Sequence, residues 1–186
     1  MTEIPRCAIK LERCGKKDVG KIEQAARIAS SLPMAERQGD ALMDSWYTCP
    51  KIVDAFFAKG CHTIGALKTN RIIYHQGIRI SISEFAAACI RKSDASLVTV
   101  GKGRYWMYRY EGKLNGIDNA VVLISYPEKA FGKPEALRAF LCTDTALETS
   151  VILQYYRNRW DIEVFFKQQK NIFGFDGYQM RSARRH

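Results

Sequence analysis

The side chains with the greatest chemical potential lie on one stretch near the C-terminus. Tyr156, Arg159, Glu163 and Lys170 fall at offsets of 0, 3, 7 and 14, and at roughly 100° per helical residue they project within a strip about 60° wide. A carboxylate flanked by two cations and a phenol on one helix face has two readings. It is an ion-pair ladder, in which Arg159 and Glu163 at i, i+4 contribute only a few tenths of a kcal/mol, or it is a polar working surface. A second acid, Asp44, closes the run Ala-Leu-Met and is followed by Trp46 and Tyr47. That places it at the carboxyl end of a strand, where α/β sheets hold their ligands. The chain closes on a basic run with Arg181, Arg184 and Arg185, which reads equally as a phosphate-holding segment and as a solvated end.

Cysteine and histidine offer no competing chemistry. The six cysteines (Cys7, Cys14, Cys49, Cys61, Cys89, Cys142) form no C-x-x-C pair, and His62, His75 and His186 are scattered. The cysteines therefore read as reduced thiols, and any bound metal must sit on carboxylates.

The working strip needs a helix, and Asp44 needs a sheet. Apolar positions Val151, Tyr155, Ile162, Phe166 and Phe173 form one stripe, so a single helix is expected from about Thr145, with Thr145 and Glu148 as capping pair, to about Asn171. Upstream, 18–32 carries helical periodicity, 40–44 reads as a short strand, Pro50 opens a helix ending before Gly60, and His62–Leu67 is the next strand. Strand, helix, strand at this spacing predicts a βαβ unit with parallel neighbours.

From 70 to 143 the pattern turns to short β-branched or alternating runs at 71–74, 78–82, 97–100, 104–110, 120–126 and 137–142, interrupted by a helical piece at 84–90. Gly101-Lys102-Gly103-Arg104 lacks phosphate-loop spacing and reads as a hairpin turn. Trp106, Tyr105, Tyr108 and Tyr110 beside Arg104 and Arg109 suit base stacking, but alternate faces of an antiparallel strand explain them more simply.

Composition sets the class. The 186 residues are 47% hydrophobic and 26% charged, enough to bury one core. Lys and Arg number 29 against 19 Asp and Glu, for a net charge of +10, which favours polyanionic partners, with nucleic acid first. No apolar run spans a bilayer and no secretion signal opens the chain, so no membrane partner and a cytoplasmic location are expected.

Tyr156-x2-Arg159-x3-Glu163-x6-Lys170, within Tyr-Tyr-Arg-Asn-Arg-Trp-Asp-Ile-Glu-Val-Phe-Phe-Lys, resembles the Tyr-Arg-Glu-Lys signature of the DDE insertion-sequence transposases. Asp44-Ser-Trp-Tyr resembles the segment around their second catalytic aspartate. The resemblance covers most of residues 40–182. It implies an α/β fold with a ribonuclease H-like core: 40–70 and 144–175 as core elements, 71–143 as an inserted β-rich subdomain, 1–39 as a helical lead-in and 176–186 as a basic end. It also implies metal-dependent DNA cleavage and strand transfer, with Asp44 and Glu163 as metal ligands for Mg2+ or Mn2+. Tyr156, Arg159, Lys170, Trp46 and Arg181 would contact DNA. The implied partners are transposon ends and target DNA in a bacterial nucleoid, together with full-length transposase or a second copy of the chain.

One departure accompanies the match. The family uses three acids, the first on a leading strand of the core, and Glu3, Glu12, Asp18, Glu23 and Glu36 lie in charged or helical surroundings. The expectation is therefore an incomplete domain, without its leading strands, that retains two acids and does not cut DNA. The alternative is a non-catalytic product that binds DNA or transposase and inhibits.

Overall fold

The computed structural model describes residues 20–34, 36 and 38–159. Its elements follow in the order α1 (Lys21–Ser31), β1 (Gly39–Met43), α2 (Pro50–Phe57), β2 (Cys61–Leu67), β3 (Ile72–His75), β4 (Ile78–Ser81), α3 (Ile82–Cys89), β5 (Ser96–Val100), β6 (Gly103–Leu114), β7 (Ile117–Pro127) and β8 (Arg138–Cys142). Helical residues 149–159 follow as α4.

β1 and β2 are parallel, from Gly39 opposite Cys61 to Met43 opposite Gly65, as the βαβ spacing predicts. Pro50 starts the crossover helix, where its missing amide costs nothing. The remaining pairings are antiparallel, and the main path through the sheet runs β1-β2-β8-β7-β6-β3-β4, with β5 pairing the early part of β6. β8 lies directly against β2, Ile64 opposite Cys142. Strands from the 71–143 stretch thus join those of the βαβ unit in one mixed, mostly antiparallel sheet.

The sheet is covered on both faces. Alternation along β7 sends Ala120, Val122 and Ile124 into a cluster with Phe85 of α3 and Val53 of α2, while Val121 and Leu123 meet Ile152 and Leu153 of α4. Eight of these nine side chains are less than 5% exposed, so β7 is a central strand buried on both sides. The long β6–β7 hairpin turns at Gly116, whose φ of 82° suits glycine. A Cβ there would lie 2.5 Å from Pro50. The hairpin tip thus braces the start of α2. A third cluster, Ala26, Met43 and Ile52, joins α1 to α2 and β1, with Glu23 salt-bridged to Lys51 across the two helices.

Two helices differ from the sequence expectation for identifiable reasons. α3 starts at Ile82 because Ser81 Oγ accepts the Glu84 amide while the Glu84 carboxylate accepts the Ser81 amide, a capping box that turns the end of the strand run into a first helical residue. α4 starts after Glu148, whose carbonyl accepts the Ile152 amide. Thr145 does not cap it. Asp144 Oδ1 closes the preceding turn on the Ala146 amide, and the Arg109 guanidinium binds the carbonyls of Thr145 (2.8 Å) and Leu147 (2.7 Å). The buried face of α4 is also wider than a stripe. Ile152 and Leu153 are its buried residues and Val151 and Tyr155 are half-buried, because the helix packs on β5 and β6 as well as on β1 and β8.

Candidate active site beside Asp44

Asp44 follows β1 directly. Its side chain closes a turn: Oδ1 accepts the amides of Trp46 (2.8 Å) and Tyr47 (3.2 Å), and its carbonyl accepts the Thr48 hydroxyl (2.7 Å). Aspartate favours such turns because its short side chain reaches the amide two residues on. Thr48 is buried, and its hydroxyl fits only because β2 has Gly65 opposite, where a Cβ would lie 2.3 Å from Thr48 Oγ1. The carboxylate is therefore held from its own loop, and Oδ2 accepts from none of the described residues.

α4 approaches this end of the sheet. It begins near the end of β8 and runs along the face to which β1 contributes Leu42. Strand alternation puts Asp44 on that same side. Tyr156 stacks at 4.8 Å on Phe140 of β8, and the Arg159 guanidinium lies 5.4 Å from the Tyr156 ring. The i, i+3 spacing thus places this pair on one strip of the helix, as their offsets predict. Where the end of β2 meets the start of β8 a cleft of about 670 Å³ opens, lined among others by Ser45, Lys68, Thr69, Arg138 and Tyr156. Trp46 is 71% exposed at its mouth, with Lys68 Nζ 4.5 Å from the ring.

The structure thus gathers Asp44, Trp46, Tyr156 and Arg159 at one end of the molecule. Glu163, Lys170 and Arg181 lie outside the described residues. Lys68 and Arg138 escaped the sequence reading because isolated cations at strand ends carry no spacing signal. The oxygen donors at this end suit a hard cation such as Mg2+, which takes carboxylates and keeps several waters. Among the described residues no three His, Cys, Asp or Glu side chains cluster as a metal site.

The model of the transposase DDE domain matches residues 11–186. The chain belongs to this family. No curated protein matches it. Membership gives the transposase domain a DNA substrate and makes divalent metal the family's cofactor class. None of the described helices of this transposase is long and apolar enough to cross a membrane.

The aromatic strand, by contrast, belongs to the core. Trp106, Tyr108 and Tyr110 pack with Phe85 on one face of β6 and Tyr105 points to the other, while the Tyr110 hydroxyl donates to the Tyr74 carbonyl at 2.8 Å. Gly101 sits in the β5–β6 hairpin with φ of 60°, and a Cβ there would strike the guanidinium of Arg157 on α4. The described cysteines are all free thiols.

Proposed function

We propose that the domain cuts DNA and joins the resulting 3′ end to a second site in the transposition of an insertion sequence, supported by Mg2+ or Mn2+. The observation that carries this reading is the turn at Asp44: a carboxylate oriented by its own loop at the carboxyl end of a parallel strand, beside a cleft that Tyr156 lines. Asp44 and Glu163 are the proposed metal ligands, completed by one further carboxylate. Divalent metal held by these carboxylates would supply Lewis-acid stabilisation of the charge that develops in in-line phosphoryl transfer.

The remaining roles fall to the chain's own groups. The Asp44 turn fixes one oxygen on backbone amides and leaves the other for a ligand. Arg159 presents a planar fork that takes a phosphate bidentately, and Lys170 and Arg181 act as point and fork charges on the backbone. Tyr156 offers a hydroxyl beside the same strand, and Trp46 an apolar face to a base or sugar. The core that positions these groups is proposed to be ribonuclease H-like, with 71–143 as its inserted β-rich part.

A second reading is favoured by the surroundings of the acids, since Asp44 and Glu163 are the two whose neighbours resemble the family's pattern. On that reading the chain binds DNA, full-length transposase or a second copy of itself and inhibits without cutting. A nicking assay separates the two. Cutting by the chain itself in Mg2+ or Mn2+ is expected on the first reading and binding without cutting on the second, where fusion to the acid-bearing leading strands of a complete relative should restore cleavage. In that fusion Glu163→Gln should abolish cutting while binding persists. Cutting at the unmodified rate would reduce Glu163 to a rung of a surface ion-pair ladder and sink the site.

A further inference from the structure

The geometry points to the cleft where the end of β2 meets the start of β8 as a seat for a phosphodiester of the DNA strand that runs past Asp44, with Lys68 and Arg138 as its two cations. This rests on the transposase reading above. The eleven described lining residues include these two cations and the hydroxyl groups of Ser45, Thr69 and Tyr156, and none of the eleven is a carboxylate. Neither Lys68 nor Arg138 has a carboxylate partner among the described residues, so neither charge is neutralised there by an acid. Two like charges on neighbouring strand ends repel, and an anion bound near both relieves that repulsion.

Both cations are preoriented. Arg138 Nη1 donates to the carbonyls of Glu135 (2.9 Å) and Leu137 (2.7 Å), which fixes one edge of the guanidinium and leaves Nε and Nη2 for a ligand. Lys68 rests on the Trp46 indole, and the Trp46 amide is bonded to Asp44 Oδ1. One turn therefore orients the candidate metal-holding carboxylate and the platform of the phosphate-binding ammonium. Groups that meet only phosphate carry no base information, so this seat positions the strand without reading its sequence.

The experiment uses the full chain and two duplexes of unrelated sequence, titrated at several salt concentrations. Lys68→Gln and Arg138→Gln should each weaken both duplexes equally, by about three- to tenfold, and each should lower the slope of log K against log salt by about 0.9. Lys68→Arg should restore binding. Arg79→Gln, an exposed cation on the distant strand β4, should change affinity by less than about twofold, within the modest effect expected of one remote surface charge. All three side chains are exposed, so melting temperatures should stay together. An unchanged slope in both cleft variants, with Arg159→Ala still weakening binding, would overturn the seat and leave the transposase reading intact. Failure of the unmodified chain to bind DNA at low salt would overturn both. Equal competition by inorganic phosphate at matched phosphate concentration would assign the cleft to a free anion and overturn the proposal.

Discussion

An aspartate lies near each end of β1, and the two live in opposite surroundings. Asp44, past the carboxyl end, has its Oδ1 on backbone amides and Lys68, Arg138 and Arg159 in the same region of the surface. Asp40, one residue into the strand and half-buried, faces Asp144 from the segment after β8 and His62 across the ladder. Burial and then the Asp144 charge push the Asp40 carboxyl above its ordinary range, with His62 opposing them. The Cys142 thiol at that end is pushed up to about 12, chiefly by burial. One end leaves a carboxylate oxygen open beside cations; at the other, burial and a neighbouring acid discourage charge. Position on a strand does not make an acid functional. Its local donors and neighbours decide.

Exchanging the two acids for amides is the widest test of that contrast. In a fusion holding all three acids, Asp44→Asn should lower metal-dependent cleavage by about three orders of magnitude, since a metal clamp supplies several kcal/mol and each 1.36 kcal/mol is tenfold. Asp40→Asn should leave the rate within about twofold, as expected of a group outside the transition state. Equal losses in a gel-based nicking assay would erase the distinction between the ends.

The support under Asp44 is the next place to press. A methyl group at Gly65 would lie 2.3 Å from the Thr48 hydroxyl and 2.9 Å from Met43, so Gly65→Ala should destabilise by about 1–3 kcal/mol through overpacking. Thr48→Ala alone should lose about 1 kcal/mol with its hydrogen bond to the Asp44 carbonyl. Because the same hydroxyl is the obstruction, the double variant should be more stable than the sum of the single losses predicts. Urea unfolding at neutral pH reads this directly. Strict additivity would show that Gly65 is not there to admit Thr48.

How much of this was legible beforehand follows from what kind of signal each feature leaves. The parallel pair β1 and β2, the hairpin at Gly101 and the strand runs were readable because period, turn residues and length are local. Asp44 and the Tyr156–Arg159 strip were readable as types at fixed spacing. Lys68 and Arg138 were not, because they come from strands 70 residues apart in sequence that only the antiparallel β2–β8 pairing brings together. Thr145 misled because its capping spacing ignored Arg109, a partner 36 residues away that takes its carbonyl. Gly65 was silent for the same reason, since nothing in a strand sequence announces the hydroxyl it must admit.

The smallest effect lies at the acidic end and turns on sign. A carboxyl whose folded-state pKa is raised binds its proton more tightly in the folded chain than in the unfolded one, so its contribution to stability is present below its ordinary value of 3.8 and is lost as pH rises through the raised value. At neutral pH the charged Asp40 is therefore less favourable than a neutral isostere. Asp40→Asn should raise stability by about half a kcal/mol at pH 7, a modest figure because a half-exposed charge is screened by water. At pH 3 the two proteins should unfold together. Raising the salt concentration should narrow the gap at pH 7, since the repulsion from Asp144 is part of its cause. An Asp40→Asn variant that proved less stable at pH 7 would mean that His62, not burial and Asp144, governs the site, and the contrast between the two ends of β1 would then rest on Asp44 alone.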